Sequence, residues 1–257
     1  MLRWPFAPRR PHVAEKLEPQ AAYALWAATY PPYAHNALMA LEQRTVLSLL
    51  PTLAGRTVID AGCGSGRYLH ELGKLGATPI GLDLSEPMLA KARAITTRVA
   101  RANLCALPLE SASVDVIVCG LALGDLPTLD SALGEMARVL RAGGCVVYSV
   151  VHPAGGSAGW LRTFEAQGRL MSIDGYWHSA EDHRQACAAA GLAITAWEEP
   201  GLAEWVKDPV VLVVRASNHR RTSVEPSPNH RRTTVEPSPN LRRTSVEPPS
   251  NRRRTIG

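Results

Sequence analysis

Four short runs of apolar and β-branched residues, RTVID (56–60), TPIGLD (78–83), VDVIVCG (114–120) and CVVYSVV (145–151), alternate with stretches of helical period. This alternation restricts the chain more than any other feature. Strands without a polar face are buried on both sides, and strands separated by helices pair in parallel. The intervening helices are predicted over Arg67–Leu75, Glu86–Ala100 and about Leu129–Leu140. The second has Ser85 at its N-cap and Pro87 in its first turn, and the third ends before Gly143-Gly144. An irregular glycine-bearing stretch, 153–178, precedes a helix over Ala180–Ala190 and strands at 192–199 and 209–216. Only a loop joins those last two strands, so they form an antiparallel edge. Ahead of the alternating part, 14–29 and 34–50 read as helices broken at Pro31-Pro32.

A chain of 257 residues, 46% hydrophobic and 20% charged, holds one domain with a full core and room for appendages. Its five cysteines (Cys63, Cys105, Cys119, Cys145, Cys187) are dispersed and without metal-like spacing. Reduced core thiols are expected, not a disulfide framework, and no metal site. No apolar run reaches the length of a membrane span. The opening MLRWPFAPRRPH is basic and interrupted by Pro5, Pro8 and Pro11, unlike a secretory signal, so a cytoplasmic protein is expected.

The net charge is +5, but residues 218–257 hold nine Arg against three Glu, which is +6 and leaves −1 for the rest. Those last residues repeat with an eleven-residue period, NHRRTSVEPSP, NHRRTTVEPSP, NLRRTSVEPPS. Prolines in every unit and few apolar residues leave too little surface to offset ordering entropy, so disorder is expected. The Arg-Arg-Thr-Ser/Thr units could attract phosphate or be phosphorylated, but with no aromatic interleaved the reading as a solvated extension is favoured. The expected organisation is a flexible basic segment at 1–13, a domain at 14–217 with a helical lid (14–50) and a lid insertion (153–178), and the repeats at 218–257.

VIDAGCGSGRYLHEL (58–72) runs from a strand through a glycine-rich turn into a helix. Such turns hold dinucleotides, phosphates or other nucleoside cofactors. Here Gly62-Cys63-Gly64-Ser65-Gly66-Arg67 puts Arg67 where a dinucleotide loop has its third glycine, and no Lys-Ser/Thr of a phosphate loop follows. Asp60 stands before the turn, unfavourable for a pyrophosphate and favourable for a cation. Asp83, at the next strand end, is placed to accept hydrogen bonds from ribose hydroxyls. The site suits a nucleoside with a cationic far end, as in S-adenosylmethionine.

Several segments together resemble the class I S-adenosylmethionine-dependent methyltransferases, type-11 domain group. VIDAGCGSG is similar to the family's first motif, and GLDLSEPMLAKAR to its second strand and helix. ANLCALPLESASVDVIVCGLALGDL resembles the adenine-packing segment leading into the fourth strand, and MARVLRAGGCVVYSV the helix, turn and fifth strand after it. The resemblance implies a Rossmann-like, doubly wound α/β fold with a mainly parallel seven-stranded sheet, an antiparallel C-terminal edge and an N-terminal helical lid. It implies S-adenosyl-L-methionine as cofactor, held by Asp60, Gly62, Cys63, Gly64, Gly66, Asp83, Leu84, Met88, Asn103, Leu104 and Leu121. The family usually has Asp where this chain has Asn103, whose carbonyl can still accept from an adenine amino group.

Ligands of open parallel sheets lie at the carboxyl ends of strands, which points to Asp125 and His152. His152 is the candidate general base, with a backbone-bonded turn histidine as the competing reading. Asp125 pairs with a substrate donor or caps a turn. In the resembled family the N-terminal helices and the insertion cover the methyl acceptor. Tyr23, Tyr30, Tyr33, Trp160 and Tyr176 are accordingly the aromatic candidates for its pocket, although Tyr23, Trp26 and Tyr30 also have the spacing of a helical core face. The expected function is methyl transfer to a small molecule. Alternatives are an RNA or protein methyltransferase using the basic repeats, and a catalytically silent S-adenosylmethionine-binding regulator. The slightly acidic domain argues against a nucleic-acid partner, and Arg67 with Asp60 against a nicotinamide dehydrogenase.

Overall fold

The computed structural model describes residues 15–202 and 208–219. The expectations for 1–13 and for the repeats beyond 219 lie outside the described residues. The chain begins with β1 (Glu15–Leu17), α1 (Pro19–Trp26) and α2 (Ala37–Ser48). The alternating part comprises β2 (Val58–Ala61), α3 (Arg67–Lys74), β3 (Ile80–Asp83), α4 (Glu86–Ala92), β4 (Val99–Arg101) and β5 (Val114–Gly120). A 3₁₀ turn at Leu123–Asp125 leads to α5 (Asp130–Val139) and β6 (Leu140–Val151). Then follow α6 (Ala154–Ser157), β7 (Arg162–Ala166), β8 (Arg169–Ile173), α7 (Ala180–Ala190), β9 (Leu192–Glu198) and β10 (Val211–Asn218).

Seven strands form one sheet in the order β4-β3-β2-β5-β6-β10-β9. The five from β4 to β6 are parallel, and β10 is antiparallel to both its neighbours. Alternate side chains of each strand enter opposite layers. Ile117, Cys119, Tyr148 and Val214 pack with α5 and α7 on one face. Val116, Val118, Val147 and Val213 pack with α2 and α3 on the other. Burial on both faces is the reason these strands read as continuous apolar runs.

The structure alters several expected boundaries. The helix opening at Glu86 stops at Ala92, where Ile95-Thr96-Thr97 brings a β-branched run, and β4 takes the segment's end. Ser85 occupies the N-cap position without a side-chain cap bond; its hydroxyl is buried and unpartnered, and its N–H donates to Asp83 Oδ1 instead. Gly143-Gly144 does not separate helix from strand. β6 begins at Leu140, opposite Val114, and resumes at Cys145, opposite Val116, so residues 141–144 bulge out against Asp115 alone.

The expected helix over 14–29 is divided at Pro19, which opens α1 and leaves Glu15–Leu17 extended. The stretch 153–178, expected to be irregular, contains a hairpin. β7 and β8 are joined by Gln167-Gly168, both at positive φ (53° and 69°), as a type I′ turn requires. β1 pairs in parallel with β8, making a three-stranded lid sheet ordered β1-β8-β7. The domain also extends past its expected limit at 217. Asn218 is buried in β10 and donates to the carbonyls of Ala137 and Leu140 at the end of α5.

Candidate active site

β2 and β5 are sheet neighbours, and strand order reverses between them, which opens a crevice beyond their carboxyl ends. The glycine turn fills the floor of that crevice. Gly62, Gly64 and Gly66 have φ of 75°, 52° and 96°, a region closed to most side chains. A Cβ on Gly62 would lie 2.6 Å from the Ala122 Cβ on the facing wall. Gly66 is the N-cap of α3, and its missing Cβ would meet Ile95 Cδ1 at 2.6 Å, so it lets α3 approach the end of α4. Close helix packing, the task of a dinucleotide loop's third glycine, falls here to Gly66 and leaves position 67 free for arginine.

Asp83 fastens the turn from β3. Its Oδ2 accepts from the Gly64 N–H and its Oδ1 from the Ser85 N–H, both at 2.8 Å. Burial lifts its carboxyl above the usual range, and these backbone bonds oppose the shift. Asp83 also lines a cleft of about 340 Å³ with apolar walls at Leu84, Leu104, Leu126 and Pro127 and polar groups at Asn103, Asp125 and Glu18. Asn103 turns its side-chain oxygen to the Cys105 N–H at 2.9 Å. On the other side of Asp83 the cleft narrows between the glycine turn, Met88 and Gly120–Ala122, with Arg67 and Tyr30 at its end.

Beneath that end lies a buried network without a signal in the motifs. Glu42 of α2 is fully buried and accepts from Arg67 Nη1 (2.7 Å), the Tyr68 hydroxyl (2.8 Å) and the Ser149 hydroxyl. Ser149 also accepts from the Leu121 N–H at 3.0 Å. Leu121 has φ of 59°, a strained conformation for a branched residue. The carboxylate therefore braces a strained residue that lines both the cleft and the space under the lid. Glu42 shares a helix face with Leu38 and Val46, and a carboxylate on an apolar stripe is the trace it leaves in sequence.

The lid sheet encloses a second cavity of about 220 Å³, walled by Leu121, Trp160, Arg162, Tyr176 and Trp177 among others. Arg162 of β7 donates a short Nη2 hydrogen bond to Asp125 Oδ1, and both side chains are largely buried. This ion pair joins the lid to the turn after β5. Burial, and after it the Asp125 charge, hold the Tyr23 phenol well above its usual pKa, so the hydroxyl stays protonated.

The profile of a family described as a methyltransferase domain matches residues 59–148. A malonyl-[acyl-carrier protein] O-methyltransferase of Pectobacterium atrosepticum is 35% identical over 108 residues, 41% of this chain and 43% of that one. A demethylmenaquinone methyltransferase of Lactococcus lactis is 32% identical over 127 residues, 44% of this chain and 50% of its own length. The crystal structure of an S-adenosylmethionine-dependent methyltransferase from Mesorhizobium loti superposes with a TM-score of 0.56. That protein is 26% identical and is covered over 97% of its length by 68% of this chain. Residues 59–148 thus match a methyltransferase domain, and the fold around them is that of class I methyltransferases. The chain spans about half the length of the curated relatives it matches.

Within this methyltransferase fold, Gly62, Cys63, Gly64, Asp83, Leu84, Met88, Asn103, Leu104 and Leu121 line the cleft, as do Tyr23, Tyr30 and Asp125. Trp160 lines the lid cavity, and Tyr176 lines both. The remaining candidates stand elsewhere. Gly66 packs helices. Asp60 is buried under the turn and is not among the lining residues of the described cavities. Tyr33 is 62% exposed and is likewise absent from those walls. His152 departs furthest from its expected role. Its Nδ1 accepts from the Ala154 N–H at 3.2 Å and its Nε2 faces Glu199 at 3.3 Å, so it caps the turn into α6 and does not line the cavities. The Cys63 thiol, pushed up by burial and lying under Gly81, is a packing group.

Proposed function

We propose that this chain binds S-adenosylmethionine in the cleft and transfers its methyl group to a small molecule held under the lid. The observation carrying this reading is Asp83, clamped by the Gly64 N–H between an apolar slot and a backbone-walled channel. The donor set fits the cofactor. Asp83 suits a ribose diol, Leu104 and Pro127 an adenine, Asp125 a sulfonium, and the Arg67 guanidinium a terminal carboxylate. When bound, the cofactor supplies an activated methyl carbon. The protein's task is then proximity and orientation. Leu121 borders both the cleft and the lid cavity, so it sets the distance between the reactants. With His152 turned away, this reading assigns no side-chain base. The family match ends at 148, before the lid, and the two named relatives act on different acceptors. The acceptor is therefore read from the lid.

Calorimetry with S-adenosylmethionine, S-adenosylhomocysteine and NAD tests the cofactor. Both sulfur compounds are expected to bind, and binding of NAD alone would overturn the reading. Asp83→Ala is expected to weaken S-adenosylhomocysteine by about 1–3 kcal/mol through unpaired ribose hydroxyls; unchanged affinity would remove Asp83 from that role.

A further inference from the structure

We infer that the methyl acceptor is an organic anion and that Arg162 holds its negative group, an inference that rests on the methyltransferase reading for calling this ligand the acceptor. The argument starts from which walls the two ends of the Arg162–Asp125 pair form. Asp125 lines the cleft and is absent from the walls of the lid cavity and of the smaller space beside it between Tyr23, Trp26, Met39 and Thr163. Arg162 lines the lid cavity and that smaller space and is absent from the cleft. The pair is thus an oriented dipole set in the partition, negative toward the space assigned to a cationic cofactor and positive toward the acceptor. Each side chain is only 15% exposed, so this field is weakly screened.

Donor geometry leaves room for a ligand on Arg162. A guanidinium carries five N–H donors in a planar fork that can hold two carboxylates along two edges. Among the described residues, its hydrogen bonds run through Nη2 alone, to Asp125 and, at 3.5 Å, to the Asp174 carbonyl. The Nε–H and Nη1–H groups remain, on opposite edges of the fork, and either edge can receive an incoming anion while Asp125 keeps Nη2. Gly175 makes room for the guanidinium itself, since a Cβ there would stand 2.6 Å from Arg162 Nη2.

The surrounding charges do not cancel this preference. Lys16 and Asp174 also line the lid cavity, but they pair with each other at 2.6 Å on its rim, 63% and 39% exposed. Inside, Arg162 is the charge that a ligand meets. Trp160, Tyr176 and Trp177 supply flat apolar surface beside it. Charge and surface together select an organic acid with an apolar body over a neutral or cationic molecule.

The full-length protein loaded with S-adenosylhomocysteine is titrated with benzoate, 3-phenylpropionate and octanoate and with the three matching amides, followed by tryptophan fluorescence. The acids are expected to bind at least about tenfold more tightly than their amides. R162Q should bring the acids to the amides' level while S-adenosylhomocysteine affinity stays within about twofold. Because R162Q leaves Asp125 unpaired, R162Q/D125N is measured as well and should show the same loss of preference. Acids and amides behaving alike in the wild type, including no binding of either, would overturn the proposal, and so would acid binding unaffected by R162Q. Should S-adenosylhomocysteine itself fail to bind, the methyltransferase reading falls. The acid–amide comparison on unloaded protein then still decides whether Arg162 is an anion site.

Discussion

Asp60 is the last residue but one of β2, just before the glycine turn, fully enclosed, with neither carboxylate oxygen in a well-formed hydrogen bond. Burial pushes its pKa up to about 8, against the opposing charge of Arg67. An unfolded aspartate titrates near ~3.9, so between about pH 4 and 8 the folded chain keeps a proton that the unfolded chain releases. This group's contribution to stability is full below pH ~4 and is lost as pH rises through ~8. Asp60→Asn abolishes that slope, which is at most about 1.4 kcal/mol per pH unit. Urea midpoints at pH 5 and pH 8 should therefore shift in the variant's favour at the higher pH. A wild-type-to-variant difference that stays constant across that range would show that Asp60 is ionised in the folded chain. Residue type made both Asp60 and Asp83 legible as acids of the turn. Their division of labour was not legible, because one strand end opens on a crevice and the other lies beneath packed backbone.

Elements were legible where local pattern and tertiary environment agree. The buried strands β2, β5 and β6 are apolar because helices cover both faces, and that burial is visible in their residues. The lid lacked such a signature. β1 has three residues, and its partner is Met171–Ile173, so nothing near Glu15–Leu17 announces a strand. The glycines of 153–178 looked like marks of irregularity, but two of them serve aromatic packing. A Cβ on Gly155 would lie 2.6 Å from Trp160 Cε3 and from Trp177 Cζ3, and one on Gly156 would lie 2.8 Å from Trp177 Cγ. Gly155→Ala is thus an overpacking change, expected to cost about 1–3 kcal/mol and to displace two aromatic walls of the lid cavity. Acceptor KM should rise several-fold while S-adenosylhomocysteine affinity is kept, since neither tryptophan lines the cleft. An unaltered KM would mean these rings do not form the acceptor wall.

On the scale of the molecule, the parallel pairing of the strands followed from the alternation, whereas their order, and the crevice at its reversal, are set by which strands meet in the folded sheet. Where the domain ends did not. The change from apolar strand to polar repeats suggested a boundary at 217, because Asn218 has the composition of the repeats that follow it. In the structure it is the last residue of β10 and 3% exposed. Its amide donates to Ala137 O at 3.1 Å and Leu140 O at 2.8 Å, two carbonyls that the end of α5 leaves without helical partners. A shortened chain ending at His219 should therefore keep the full thermal midpoint and cofactor affinity. One ending at Ser217 should lose about 1–3 kcal/mol, the penalty for buried carbonyls deprived of their donor. Comparing the two by urea denaturation separates the contribution of Asn218 from that of the repeats. Equal midpoints for both would mean that water replaces the amide at the end of α5. A loss already present in the longer chain would mean that the repeats contribute to the domain's stability.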